Sequence, residues 1–308
     1  MELVEDRAPS LMRETAARLT ALGGYRRYLV GVPAEDGWVP LSRLAEPALA
    51  EQWFSQAAEG LGDRPSAGAF LTRIYIDAVV LTWLYPVLVD GRLPLSPMAQ
   101  VAIHRHPQGW VDAVAVNGGG LAVLAGDPGL ASLPAPLERG AGPAPAAIPR
   151  QAEPLLVFAG QDELFDALTE RLLQLQPLLA VVREVSGRGW PALWGEVADI
   201  ISGSALWLAR LLGRDRWAAW GDAEAIIDRL AAREPRLKVR PRPFPVQWSS
   251  GEDLFTVRGT CCLYYRFHKH NPEHRYCESC PLRSDEWRLE RLRAQLEADA
   301  AREGAAAG

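Results

Sequence analysis

Apolar residues recur at helical spacing over most of this chain, and the breaks between those stretches are marked by proline and glycine. A helix is predicted over about Leu11 to Leu22, with Ser10 as its cap and Gly23-Gly24 as its stop. A second covers Glu46 to Leu61, with Trp53, Phe54 and Leu61 on one side. Pro65 opens a long apolar helix to about Tyr85, where Pro86 ends or kinks it, since proline donates no N–H and crowds the preceding turn. Arg73 and Asp77 are four apart on that helix and can pair on its surface.

After Met98 the period shortens to two. Val101 and Ile103, then Trp110, Val111, Ala113, Val114 and Val116, predict two strands around the turn His106-Pro107-Gln108-Gly109, an antiparallel hairpin. Residues 126–154 are rich in Pro, Ala and Gly and read as a linker or long surface loop, because they offer little apolar surface to bury. Helical spacing resumes from Gln161 to Val185, with Leu164, Phe165, Leu168, Leu172, Leu175 and Leu179 on one face and a kink at Pro177. Helices over Pro191 to Leu212 and Asp222 to Arg233 follow, the latter with Asp222 as its cap. Lys238 to Trp248 carries alternate prolines and is extended, at best an edge strand. Ser284 caps a last helix over 285–303, before a Gly/Ala-rich tail. The domains expected are an α+β domain over 1–125, the linker at 126–154 and a helical domain over 155–308.

Composition narrows the function classes. With 48% apolar and 23% charged residues the chain has the balance of a globular protein, not of a disordered one. A net charge of -5 speaks against a nucleic-acid partner. The first residues, MELVEDRAPSLMRE, lack the basic and apolar regions of a secretory signal. The most apolar run, Ala78 to Val89, is 12 residues long, short of the roughly 20 a membrane span needs. The expected protein is therefore cytoplasmic, free or peripheral to the inner face of the membrane, and without a transmembrane segment.

The chemistry is concentrated in four cysteines, Cys261, Cys262, Cys277 and Cys280. Disulfides that staple a secreted fold are spread so as to close long loops, so clustering in one window points to a metal or redox site. A Cys-x-x-Cys turn aims both sulfurs at one metal in zinc ribbons and ferredoxins alike. The vicinal pair discriminates more. Neighbouring side chains of an extended chain point to opposite faces, so two adjacent thiolates need a bent backbone to chelate one ion, and they serve a larger iron–sulfur unit more easily. Zinc sites usually space each pair by two to four residues. The spacing thus favours an iron–sulfur cluster, with Zn2+ as the alternative.

The arrangement CC–x14–CxxC, in the local text Arg258-Gly-Thr-Cys-Cys-Leu-Tyr-Tyr-Arg266 and Cys277-Glu-Ser-Cys280-Pro-Leu, resembles that of the FhuF-type ferric-siderophore reductases. The specific match covers about 25 residues. The rest of the chain agrees with the family in length, helical character and the C-terminal place of the cysteines, while the loop between the two pairs is longer here. The resemblance implies a [2Fe–2S] cluster on Cys261, Cys262, Cys277 and Cys280, in a module spanning about 255–283. It also implies one-electron reduction of a ferric siderophore of hydroxamate type. The electron would come from a ferredoxin or a flavin- or NAD(P)H-dependent reductase. The fold class expected is α+β, a predominantly helical body with a small antiparallel hairpin region and this C-terminal module. Two other readings stand beside it: a siderophore- or partner-binding protein with a structural four-cysteine zinc site, and an iron–sulfur sensor.

The fourteen-residue loop between the cysteine pairs holds Arg266, His268, Lys269, His270, His274 and Arg275 against a single acid, Glu273, and Arg258 and Arg283 flank it. They read either as a positive rim that attracts an acidic donor or an anionic complex, or as a plain solvated loop. The docking surface expected comprises Arg258, Tyr264, Arg266, His268, Lys269, His270 and Arg275. Tyr264 and Tyr265 could shield the cluster or simply pack. Trp190, Trp194, Trp207, Trp217 and Trp220 could wall a pocket, though at helical spacing core packing is the commoner fate. His104 and His106 are expected at the surface. Gly118-Gly119-Gly120 lacks the context of a phosphate loop.

Overall fold

A computed structural model of the chain describes residues 7–22, 26–61, 63–131, 154–266 and 276–307. Helix α1 (Arg7–Ala21) leads to strands β1 (Arg27–Val30) and β2 (Trp38–Pro40), then to helices α2 (Pro47–Leu61) and α3 (Arg64–Asp90). Next come strands β3 (Arg92–Pro94), β4 (Val101–Arg105), β5 (Val111–Val116) and β6 (Leu121–Leu124), the single turn α4 (Pro128–Ala131) and strand β7 (Leu155–Phe158). Helices α5 (Gln161–Leu173), α6 (Gln176–Ser186), α7 (Trp190–Leu211) and α8 (Arg216–Arg233) precede strands β8 (Arg242–Trp248) and β9 (Gly251–Val257), and α9 (Asp285–Ala307) follows the cysteines. The fold is α+β with helix predominating and small sheets.

Two compact units share the chain: Met1–Ser42 with Leu81–Leu168, and Arg43–Val80 with Thr169–Gly308. The division runs through α3 and α5. Residues 132–153, most of the Pro/Ala/Gly-rich segment, lie outside the described residues.

In the first unit the expected β4–β5 hairpin is the centre of a four-stranded sheet, in the order β1-β5-β4-β2, with β1 parallel to β5. A second sheet has the order β3-β6-β7. The flanking strands are three or four residues long, too short to show a period of two. The glycine triplet forms the link from β5 to β6, with no phosphate-loop geometry. His106 stacks on Trp110 at 4.1 Å. His104 is more engaged than a surface residue, with Nδ1 2.6 Å from Asp112 and Nε2 3.2 Å from the Asp36 carbonyl. Helix α1 starts at Arg7, so Ser10 lies inside it and does not cap it; Pro9 is tolerated in the first turn, where backbone N–H groups have no helical partner. Ala8, Leu11 and Met12 pack against Val116, Leu121 and Val123.

Beside this core, Arg92 is fully buried and paired with Asp127 through Nε–Oδ2 at 2.6 Å and Nη2–Oδ1 at 2.8 Å. Its Nη1 reaches the Leu11 carbonyl, Glu14 and Thr15. Burial alone would push the Asp127 carboxyl up, but Arg92 and the Gly129 N–H outweigh it and hold the group below the usual carboxylate range. Asp127→Asn is expected to cost about 3–5 kcal/mol, the order for removing one partner of a buried pair. A depressed folded-state value means that the ionised pair stabilises the protein above about pH 4 and that this stability is lost as pH falls through the folded value. Urea unfolding of the wild type against pH should show this slope, flattened in Asp127→Asn. Equal midpoints at neutral pH would show the pair to be energetically idle.

Helix α3 does not stop at Pro86 but continues to Asp90. Val87 and Val89 beyond the proline are buried, which offsets the lost hydrogen bond, and the helix ends at the left-handed Gly91, whose N–H bonds the Val87 carbonyl at 2.9 Å. By length and composition α3 is long and apolar enough to cross a membrane, with a mean hydropathy of 1.4 in its most apolar window, yet 83% of that window is buried inside the fold. Arg73 lies 3.9 Å from Asp77, which is itself mostly buried.

In the second unit the predicted helix over Gln161 to Val185 is two helices. It breaks at Gln174-Leu175, and Pro177 sits in the first turn of α6, where its missing N–H costs nothing. Helix α8 begins six residues before the expected cap, with Asp215 as its cap, accepting from the Ala218 N–H at 2.6 Å. Strand β8 pairs with β9 alone, as its prolines require. Ser284 does cap the last helix, its Oγ accepting from the Trp287 N–H, but α9 runs on to Ala307. Leu292 and Leu296 of α9 bury against Phe244, Val246 and Val257, which fixes the helix to the β8–β9 hairpin.

Candidate functional site

Strand β9 hands the chain directly to the cysteines. Just beyond it the Arg258 N–H donates to the Ser279 carbonyl at 2.9 Å, tying the segment that carries Cys261 and Cys262 to the turn that carries Cys277 and Cys280. Helix α7 lies beneath. Asp199 accepts from the Gly259 N–H at 2.6 Å, the Thr260 N–H at 3.0 Å and the Thr260 hydroxyl, while Glu196 accepts from that hydroxyl at 3.2 Å. The loop is closely packed, against the helix at Gly195 and, at Gly259, against the chain at 239–240. A Cβ on Gly195 would stand 2.4 Å from Thr260 Cγ2, and one on Gly259 would stand 2.6 Å from the Arg240 carbonyl oxygen.

The backbone bends just after the vicinal pair. Leu263, immediately after Cys262, adopts φ +60°, a left-handed conformation uncommon outside glycine, and a single 3-10 turn over Tyr264–Arg266 follows. On the other side the Cys280 N–H bonds the Cys277 carbonyl at 3.1 Å, and the Leu282 N–H points at Cys280 Sγ at 3.4 Å. Arg288 of α9, 1% exposed, clamps that turn by donating to the Cys280 carbonyl at 2.7 Å, the Glu278 carbonyl at 3.2 Å and the Arg283 carbonyl at 3.3 Å.

All four cysteines are free. Cys262 Sγ and Cys277 Sγ are 3.9 Å apart. Two thiolates on one tetrahedral metal at a metal–sulfur distance of about 2.3 Å stand about 3.8 Å apart, so this separation suits a shared or bridged metal. Cys277 also bonds to Cys280, and Cys261 and Cys262 both act electrostatically on Cys280. Among the described residues, however, no group of three or more Cys, His, Asp or Glu side chains is gathered so as to hold a metal ion.

The thiols influence one another strongly. The contact with Cys277, together with burial, pushes Cys262 well above the ordinary thiol value. For Cys277 the contact with Cys262 works downward, but Cys280 and burial outweigh it and the thiol is raised. Cys280 is lowered to about 7, chiefly by its bond to Cys277. Packed thiols of this kind resist losing all their protons together unless a cation arrives, and ionisation of the ligands on metal capture is the usual chemistry of such sets.

Among the described residues, positive charge lies underneath the cysteines. Arg258 is buried, ion-paired with Glu196 and with Asp199 at 3.3 Å, so it is an internal residue and not part of an exposed rim. Its charge is felt by Cys262 and Cys277. Arg188 is also buried and feels the charge of Glu196 and, less, of Cys261 and Cys262; its Nε has no hydrogen-bond partner among the described residues. Arg188 Nε is thus a buried donor of the kind that an anionic group satisfies.

Of the other residues singled out, Tyr264 is exposed and Arg266 pairs with Asp63 at 3.3 Å. Tyr265 meets Tyr276 at 5.6 Å between ring centres, and Arg283 stacks on Trp287. His268, Lys269, His270, His274 and Arg275 lie outside the described residues. Trp194 and Trp220 are core and Trp190 lies under Arg236, whereas Trp217 and Trp248 wall a cleft of about 380 Å³ above Asp253. Arg188 and Arg288 were not among the residues singled out from the sequence; glycines on both sides of Arg188 were the one available signal.

Comparison with known proteins places no relative beside this chain: no protein-family model, no curated protein and no solved structure matches it.

Proposed function

We propose that the protein is a ferric-siderophore reductase of the cytoplasm, working through a [2Fe–2S] cluster on Cys261, Cys262, Cys277 and Cys280. The observation that supports this reading is the approach of one free thiol from each pair, Cys262 and Cys277 at 3.9 Å, over the buried charge of Arg258. When bound, the cluster supplies one-electron chemistry, accepting from a ferredoxin or a flavin- or NAD(P)H-dependent reductase and reducing siderophore Fe(III) to Fe(II). Hydroxamate oxygens are hard donors that hold Fe(II) far less strongly, so release needs no broken bond in the siderophore.

The residues of the chain have distinct tasks in this scheme. Asp199 and Glu196 hold the vicinal pair in place through residues 258–260. Arg288 holds the Cys-x-x-Cys turn. Arg258 offsets the thiolate charge from within. Tyr264 and Arg266, on the 3-10 turn beside the pair, offer an exposed aromatic and a cationic contact for the ferric complex or the donor. His268, Lys269, His270 and Arg275 complete that docking set.

Stopped-flow mixing tests the reading. Anaerobically reduced protein should be reoxidised by a ferric hydroxamate, with one Fe(II) trapped by a ferrous chelator for each electron lost. Failure to react with any ferric chelate, in a protein that carries the cluster, would favour an iron–sulfur sensor instead.

A further inference from the structure

We infer that the cleft between the start of α8 and the first residues of β9 binds a small aromatic carboxylate, held by the arginine pair Arg210 and Arg216 and walled by Trp217 and Trp248. The inference does not depend on what the cysteines hold.

The floor of the cleft carries more positive than negative charge. Asp253, whose side chain is 4% exposed, takes Arg210 Nη2 at 2.6 Å and Arg216 as a second ion pair. Two guanidiniums therefore share one carboxylate. Each has five N–H donors in a fixed fork that matches a carboxylate, and among the described residues neither side chain bonds an acceptor other than Asp253. Burial pushes both arginines below their ordinary value, and for Arg216 the charge of Arg210 adds to it, so the pair is short of negative charge.

The other acids nearby are already engaged. Asp215 caps α8 by accepting from the Ala218 N–H, so the end of the helix is not the attractive element. Glu252, in the wall, accepts from Trp217 Nε1 at 2.8 Å and from Gln247. Asp299 attracts Arg210 but pairs with Arg302. Arg214 also lines the cleft. The surplus at the floor suits a single negative charge, while Glu252 opposes a dianion such as a phosphate ester.

The walls suit a flat ring. Trp217 is 47% exposed, yet its bond to Glu252 fixes the indole. Trp248 is held from behind by the cluster of Phe244, Val246 and Leu296. Arg210 lies 4.9 Å over Phe255, which holds its guanidinium in place before any ligand arrives. The cleft of about 380 Å³ is within the size range of small-molecule pockets.

Isothermal titration calorimetry of the full chain with 2-naphthoate tests the inference. One saturable site is expected, and the uncharged 2-naphthamide and the non-aromatic cyclohexanecarboxylate should each bind about tenfold more weakly or worse. Trp217→Leu, at an exposed position, and Arg216→Lys, which keeps a charge on Asp253 but loses the fork, should each weaken 2-naphthoate by about tenfold with the helical circular dichroism unchanged. The affinity should be the same whether or not the protein carries iron. No saturable binding of 2-naphthoate would overturn the inference. Equal affinity for the amide would overturn the role of the arginine pair, and unchanged affinity in both variants would place the ligand elsewhere.

Discussion

Arg258→Met is expected to destabilise the protein by about 3–5 kcal/mol, because it leaves Glu196 and Asp199 buried without their counter-charge. Among the described residues the other ion pair of Glu196 is with Arg73, half exposed and 3.8 Å away. The loss should depend on pH in a defined direction. Burial raises the Asp199 carboxyl above its ordinary value even with Arg258 beside it. A raised folded-state value means that the folded form binds the proton more tightly than the unfolded chain, so this group's contribution falls as pH rises from about 4 through the folded value. Without Arg258 that value rises further. The deficit of Arg258→Met should therefore be larger at about pH 8 than at about pH 5. The triple variant Arg258→Met, Glu196→Gln, Asp199→Asn should recover much of the loss, since removing all the charges together avoids an uncompensated ion. Urea denaturation of the three proteins at both pH values checks this; a deficit below about 1 kcal/mol would mean that the network is energetically dispensable.

The second large effect concerns the thiols. If the proposed cluster is held there, Cys277→Ser is expected to abolish most of its iron and visible absorption, because Cys277 is in contact with both Cys262 and Cys280 and its loss removes the sulfur joining the two halves. Cys262→Ser should do the same. Ser279→Ala, which leaves the Ser279 carbonyl free to accept from Arg258, should retain iron and serves as the control. Iron analysis and absorbance of anaerobically purified variants make the comparison. Full iron in Cys262→Ser would remove that residue from the ligand set.

How much of this was legible in the sequence follows from the length scale of each signal. The face Leu164, Phe165, Leu168, Leu172, Leu175 and Leu179 is buried as its spacing implies, since a helix repeats its pattern over several turns. The hairpin turn at 106–109 was also readable. Strands β1, β2, β3, β6 and β7 were not, because three or four residues hold too little alternation. Strand β9 was hidden by its acids: Asp253 in its sequence looks solvent-directed, yet it is buried under Arg210. Gly221 beside Asp222 imitated a helix start, while the actual cap was Asp215.

At the site, the four cysteines could be read directly, whereas the left-handed backbone at Leu263, just after Cys262, could not. The fate of Arg258 could not. Its partners sit on α7, about sixty residues earlier, and nothing local to a cationic residue beside cysteines distinguishes an exposed rim from a buried ion pair. The same applies to Arg188 and Arg288, whose roles depend on contacts that only the packing of α6, α7 and α9 creates.

Metal and acid-labile sulfide content of freshly, anaerobically purified protein tests the central claim most directly. The expected result is two irons and two sulfides per chain, with an EPR signal from the one-electron-reduced form. One zinc per chain, with no sulfide and no colour, would contradict it.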